Sequence, residues 1–501
     1  MPTLNFKLSW SPCVLSRRVL RVLRVFMLTP ALALTPMLTI GCTHPSAASS
    51  DGNGSAGRAG NAGASGHGGG GSSGSGNLDG GAAALGGRGG NTGGGADAGS
   101  STGGSAPPRG PTPATATVRF PFPQNRESAR CFYPAGYLND QVRAAYDKWK
   151  LDTVTSVGAG GFRRVKRTQS DYTGAGGLEL EATVSEGIAY GMLLAVYMGD
   201  QSLFDDLWKY EQTPLYQDDN GLMHWYISAD GQTVRGSFGA TDADEDMAFA
   251  LVMADRQWGG RGSLSANYLD VAKDQINKVW NHEVLDSKLA GAGDHFLDWT
   301  KINISYFAPA YYRVFDAIDT DTTHDWPAVI KTVYDTITVT LNATNKNQSN
   351  GLVPAWCSSD GAPNPGVFGP LQTAPTNYQY DSCRTPFRIA LDWCWFGTQQ
   401  AKDYLAKTSA FFSAIGAANI ADGYNLDGTP NPQHAGQRSA AFIGPAGVGA
   451  MTSDTFQPFI NQSYATIAGS TALAGGAYYE ESWTVMSLLM MTANFLDYTA
   501  Y

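Results

Sequence analysis

Three short stretches of the sequence hold acids in settings that a solvated surface does not require. In TVSEGIAYGM (183–192), Ser185 reads as a helix cap, Glu186 falls in the first turn, and the remaining face is apolar and small. A Glu there complements the helix dipole, and a shielded one can also hold a proton for delivery. In ATDADEDMA (240–248), four acids crowd a second helix start at 242, 244, 245 and 246. The D-x-D-x-D opening invites a calcium loop, but that loop needs Gly sixth and Glu twelfth, where this chain has Met247 and Met253. Acids so close repel one another, and a shielded member would have a raised pKa; an exposed acidic helix start is the plainer alternative. In YQYDSCRTPF (378–387), Thr385-Pro386 marks a third helix start, with Asp381 just upstream and Arg384 three residues on. That pair can simply neutralise itself, while Tyr378 and Tyr380 would suit the wall of a sugar site.

The elements that must position these groups are helical. From Tyr137 onward the apolar periodicity predicts helices near 138–150, 185–199, 201–211, 241–258, 264–282, 304–316, 325–342, 385–397, 400–415, 435–451, 453–468 and 478–496, about twelve in all. Strand-like alternation is confined to pieces such as 161–165 and 221–227. The connection 343–383 is longer than ordinary loops, and such loops tend to carry function. No short-period repeat is visible, which argues against a solenoid.

Ahead of this region the composition changes. Of the 60 glycines, 25 fall within residues 51–110, a stretch that cannot build a core and reads as a flexible tether. Its GxGxxG match (Gly66, Gly68, Gly71) and GxSxG match (Gly70, Ser72, Gly74) are accidents of composition, because neither lies between a strand and a helix. Earlier still, arginines 17 to 24 precede an apolar run from Val25 to Ile40, interrupted by Pro30 and Pro36. That is the pattern of an export signal and too short for a membrane span. The run ends at Thr39-Ile40-Gly41-Cys42, which resembles the lipobox of bacterial lipoproteins and would make Cys42 the acylated residue; ordinary secretion is the alternative. The expected organisation is a signal at 1–41, a disordered Gly/Ser-rich linker at 42–116 and a catalytic domain at 117–501.

Residues 1–50 hold five cations and no acid, and residues 51–116 balance, so the remainder carries −15 of the total of −10. So acidic a domain is a poor nucleic-acid binder, since nothing supplies the counterion release that phosphate contact needs. Neutral or cationic partners fit better. Of the six cysteines, four remain after the leader and Cys42, and export permits two disulfides among Cys131, Cys357, Cys383 and Cys394 in three possible pairings. Their spacings do not suit zinc. Cys357 and Cys383 flank the long loop and are the expected pair, with Cys383–Cys394 as the alternative and buried free thiols as the plainer reading. Three acids at helix starts in an exported, acidic chain with 12 Trp and 23 Tyr point to glycosidic bond cleavage, which needs one protonated acid and one ionised base.

Over nearly all of residues 129–497 the chain resembles glycoside hydrolase family 8. The resemblance is carried by TVSEGIAYGMLLAVY (183–197) and ATDADEDMAFALVMADRQW (240–258), and by GLMHWYI (221–227), SYFAPAYY (305–312), GLVPAW (351–356), YDSCRTPFR (380–388) and FIGP (442–445). It implies an all-α (α/α)6 barrel, an inverting mechanism, and no metal or cofactor. It makes Glu186 the general acid, Asp381 the general base, and Asp242 the group that holds the distorted sugar. Tyr306 and Arg384 match residues that position the water and the base, and Trp225, Trp356, Tyr306 and Tyr380 are candidate stacking platforms. The expected substrate is a β-1,4-glucan attacked within the chain, by a monomer that meets a membrane only through its lipid. Xylan, chitosan and mixed-linkage glucan stay open, because His295-Phe296 stands where glucan-cleaving members often carry Arg-Trp. A reading of another class, a glycan-binding surface lipoprotein without catalysis, would call for loss of the acid or the base, and both are present.

Overall fold

Two kinds of helix alternate along the chain. The computed structural model describes residues 118–168, 179–296, 300–364, 376–432, 434, 436–470, 473 and 477–501. Among them are twelve α-helices: α1 (Asn139–Thr153), α2 (Ser185–Met198), α3 (Gln201–Glu211), α4 (Thr241–Trp258), α5 (Tyr268–Glu283) and α6 (Pro309–Ile318) in the first half. In the second are α7 (Trp326–Thr340), α8 (Thr385–Phe396), α9 (Gln399–Ile415), α10 (Ala440–Ala450), α11 (Gln457–Ala468) and α12 (Tyr478–Met491). The segments expected as signal and linker, and Cys42 as the expected lipidation site, lie outside the described residues. No helix among those described is long and apolar enough to cross a membrane.

The even-numbered helices bury most of their residues; α10 buries every one, and α4 all but Asp255 and Arg256. Helices apolar all round must sit inside. The odd-numbered helices are amphipathic: α1 buries Val142, Tyr146, Trp149 and Thr153, a single stripe at helical spacing. Contacts follow this division. Each even-numbered helix packs against the next, from α2 to α4 and on to α12, and α12 packs against α2, so the circuit closes. The odd helices cover it: α3 on α2, α5 on α4, α7 on α6, α9 on α8, α11 on α10 and α1 on α12. Small residues permit the close spacing. A Cβ added at Gly444 of α10 would lie 2.4 Å from Ser487 Oγ on α12, and one at Gly447 would lie 2.5 Å from Ser463 Cβ on α11.

The β-structure is minor, as the sequence predicts. Antiparallel β1 (Val154–Thr155) and β2 (Arg164–Val165) form one pair, and β3 (Thr183–Val184), β4 (Tyr226–Ile227) and β5 (Val234–Gly236) form an antiparallel sheet with Thr183 opposite Ile227 and Tyr226 opposite Gly236. β3 runs directly into α2. It thus fixes where Glu186 begins its helix.

Three expectations need correction. Ser185 is the first residue of α2 rather than its cap; Val184 precedes it and no side chain caps the end. The helix expected at 304–316 is divided, because Pro309 starts α6 and leaves Ile304–Tyr306 as a separate 3₁₀ turn. The cysteine pairing also differs: Cys131 bonds Cys394, with Cα atoms 5.6 Å apart, while Cys357 and Cys383 are free and buried. Cys383 lies in the 3₁₀ turn Ser382–Arg384 with its Sγ 2.7 Å from Tyr380 O, and Cys357 is held in a backbone bridge to Ile302. Cys383 and Cys394 are eleven residues apart along continuous helical structure, roughly 16 Å of rise, beyond the reach of a disulfide.

Candidate active site

The starts of the even-numbered helices converge. Glu186 occupies the first turn of α2, Asp242 the first turn of α4, Arg384 the residue before α8, and Tyr478 the first residue of α12. Tyr306 ends the 3₁₀ turn that leads to α6. Helix N-termini carry partial positive charge, so acids gathered there gain some compensation for losing water.

Arg384 is the hub. Its Nη1 donates to Glu186 Oε2 at 2.6 Å, Asp242 Oδ2 at 2.5 Å and Tyr190 OH at 2.9 Å. Its Nη2 donates to Ser305 Oγ at 2.9 Å and Asp381 Oδ1 at 3.2 Å. The guanidinium also lies over the Tyr306 ring, 5.2 Å from its centre. Glu186 and Asp381 are therefore separated by one guanidinium and two hydrogen bonds. Their remaining oxygens are held as well: Tyr478 OH donates to Glu186 Oε1 at 2.8 Å, and Trp356 Nε1 donates to Asp381 Oδ2 at 3.2 Å. The side chains of Glu186 and Asp381 keep 19% and 33% of their exposure, whereas those of Asp242 and Arg384 keep 3% and 1%. Solvent thus reaches the two acids on either side of the hub and not the pair between them.

Burial pushes the Glu186 carboxyl up to about 7, against the pull of Arg384; Asp242 adds to the rise, the Tyr478 hydroxyl opposes it, and Asp381 adds further. Burial also raises Asp381 above the ordinary carboxylate range, opposed by Arg384, reinforced by Asp242, and opposed again by Trp356 and Asn303. One acid that keeps its proton near neutrality beside another anchored by several donors is the division of roles that acid–base hydrolysis requires.

The structure brings together Glu186, Asp242, Asp381, Arg384, Tyr306 and Trp356. Trp356 is buried, and its indole edge reaches Asp381 directly. Tyr306 meets it edge-on at 6.2 Å, and Phe296, of the divergent His295-Phe296 pair, joins Tyr306 and Trp356 in a small apolar cluster separate from the main core. Tyr380 lies to one side, its hydroxyl 3.2 Å from Asp422 Oδ2 and its ring 5.2 Å from Phe442. Trp225 is half-buried just ahead of β4, and its carbonyl accepts from Ser185 N beside Glu186. Sequence reasoning missed Tyr190, Ser305, Asn303 and Tyr478. Tyr190 lies one turn after Glu186 on the same helix face and was readable from that spacing. Nothing local marks Tyr478, which arrives from the far end of the chain. Among the described residues Asp218, Asp294 and His295 bring possible metal-ligand atoms within 4.8 Å of one another. Asp294 already accepts from Gly239 N and Asn220 Nδ2, so nothing there demands an ion.

The sequence model of the glycosyl hydrolases family 8 matches residues 122–493. The chain belongs to that family. As a family 8 glycosyl hydrolase it is 36% identical to Endoglucanase A of Acetivibrio thermocellus over 359 residues, 71% of this chain and 69% of that protein. It is 35% identical to Endoglucanase C of Ruminiclostridium cellulolyticum over 402 residues, 77% of this chain and 80% of that one. Among solved structures it is similar to the β-1,3-1,4-glucanase of Paenibacillus sp. X4, with a TM-score of 0.66, 30% identity, and coverage of 75% of this chain and 99% of that one.

Proposed function

We propose that this family 8 enzyme is an inverting, endo-acting hydrolase of β-1,4-glucan chains, and that its closed circuit of six helices covered by six others is an (α/α)6 barrel. One observation carries the catalytic part: a single buried guanidinium bridges a carboxyl raised to about 7 and a second, solvent-reached carboxyl on the opposite side. Ionised Asp381 takes a proton from a water whose oxygen bonds to the anomeric carbon. The bond from that carbon to the glycosidic oxygen breaks, and Glu186 delivers its proton to the departing oxygen. Asp381 ends protonated and Glu186 ionised, and exchange with solvent restores both. Asp242 holds the distorted sugar, Tyr306 the water, and half-buried Trp225 and Tyr380 border the path of the chain, while buried Trp356, expected as a stacking platform, instead supports Asp381. Inverting glycosidases leave roughly 6.5–9.5 Å between their carboxyls to admit the water, and a gap of one guanidinium with its hydrogen bonds suits that range.

The endoglucanase names of its relatives favour cellulose-type chains, and likeness to a β-1,3-1,4-glucanase makes mixed-linkage glucan the second reading. The leader, with Cys42 as its acylation site, favours export of a monomer tethered at the envelope. A reducing-sugar and viscosity assay of the full chain on carboxymethylcellulose, mixed-linkage glucan, xylan and chitosan tests the substrate. Proton NMR in the first minutes of digestion tests the mechanism: the α-anomer must be released first from a β-linked oligosaccharide. Initial release of the β-anomer would make Asp381 a nucleophile and end this reading.

A further inference from the structure

Asn303 carries an amide hydrogen with nowhere to go. The residue is 2% exposed, and it precedes the 3₁₀ turn Ile304–Tyr306, whose Ser305 N donates to Asn303 Oδ1 at 3.0 Å. Which end of the amide is oxygen follows from its neighbours. Arg384 Nη2 can only donate, so Ser305 Oγ accepts from it and must pass its own hydrogen onward, to Asn303 Oδ1 at 2.7 Å. With Oδ1 accepting twice, Nδ2 is fixed as the donor at the other end, and it has no hydrogen-bond partner. Buried donors are seldom left so, because the missing bond is a full desolvation penalty. The amide neighbours Asp381 and draws its carboxyl down.

We propose that Asn303 is a positioning residue of the hydrolytic centre: its Nδ2 hydrogen, oriented through Arg384 and Ser305, closes onto the ionised Asp381 carboxylate when substrate is bound. Catalytic hydrogen bonds commonly tighten only in that complex. The inference rests on the reading of Asp381 as the base. The other groups facing Asp381 are Arg384, Asp242, Trp356, Cys383, Glu186 and Tyr306. Of these only Arg384 is linked to Asn303, through Ser305, and Asn303→Asp keeps the oxygen that Ser305 donates to while removing the Nδ2 hydrogen.

The capping role and the donor role separate by substitution. Ser and Asp both cap turns and helices nearly as well as Asn, but neither can supply the Nδ2 hydrogen. Asn303→Ser in the full chain should keep the circular dichroism and melting temperature close to wild type. It should also move the acid limb of kcat upward by about one pH unit, with a smaller shift in kcat/KM, because kcat reports the substrate complex. Asn303→Asp should move the limb further, since it adds a carboxylate beside the base. An acid limb that stays in place in both variants, whatever the loss of rate, would overturn the inference and leave Asn303 as a cap. If wild type cleaves none of the four glycans, the functional reading fails instead, and the two failures are distinct.

Discussion

Arg384 and Arg388 stand one turn apart at the start of α8, and each faces acids from α4, yet only Arg384 lies at the candidate site, beside acids that solvent reaches. Arg388 holds Asp246 with two parallel bonds of 2.9 Å and reaches Glu245 at 3.1 Å, while Tyr312 OH donates to the other Glu245 oxygen at 2.8 Å. The side chains of Glu245 and Asp246 keep 0% and 2% of their exposure. Burial pushes Asp246 up to about 6, against Arg388, and raises Glu245 as well, but no solvent arrives to use either proton. Arg384 divides its bonds among three acids and leaves two of them open. Identical chemistry becomes structural when sealed and reactive when it has a surplus acid and a way in.

The largest expected effect is on the open cluster. Glu186→Gln should keep the far-ultraviolet circular dichroism and lower kcat by about 10²–10⁴-fold, because an amide has no proton to deliver. Glu245→Gln should leave far more of the activity. Equal losses in the two variants would erase the distinction between the clusters. Stability should show the reverse order. Arg388→Met strands two buried acids and should lower the free energy of unfolding, read from urea titration, by about 3–5 kcal/mol. Arg384→Met should lower it less, since solvent can rehydrate Glu186 and Asp381.

The smallest effect sharpens the comparison through pH. Glu186 rises from its ordinary 4.5 to about 7, so the folded protein binds its proton more tightly than the unfolded chain does. The contribution of that carboxyl to stability is fully present below about pH 4.5 and is lost as pH climbs toward about 7. Glu186→Gln does not titrate. Its melting temperature should therefore gain on wild type between pH 4.5 and pH 8, and the alkaline limb of wild-type activity should fall in the same interval. A melting difference that is flat across this range would mean that Glu186 is not held protonated.

Much of this was legible in the sequence, for physical reasons that differ by residue. The spans 201–211 and 241–258 match α3 and α4 at both ends, because charged or Gly residues interrupt strong apolar runs there. Glu186, Asp242 and Asp381 stood out as acids at helix starts, but each had a plainer reading as dipole complement, exposed acid or ion pair, and only the family resemblance singled them out as candidates. The disulfide was not: Cys131 and Cys394 meet across 263 residues, and no local pattern encodes that distance. Of the short strands, β2 and β4 fall inside the alternating pieces 161–165 and 221–227, whereas β1, β3 and β5 escaped notice because alternation needs a longer run to register. Asn303 carried no signal of its own in the sequence, since its idle amide exists only once Arg384 and Ser305 are in place.

The segment that leads into α1 has a mechanical consequence. Arg119 N bonds the carbonyl of Gln257 at the end of α4, Phe120 stacks on Tyr498 at 4.3 Å, and Gln124 N bonds Asn494 Oδ1. Cys131 then joins α8 covalently at Cys394. Tension applied to the chain ahead of Val118 is shared between the end of α4 and the C-terminal segment that carries Asn494 and Tyr498, and stops at a covalent rivet. It never reaches α1 as a peeling force. An enzyme towed by its N-terminus along a solid substrate would carry the strain in this strap and pass it to the far ends of α4 and α8, the ends opposite those that hold Asp242 and Arg384.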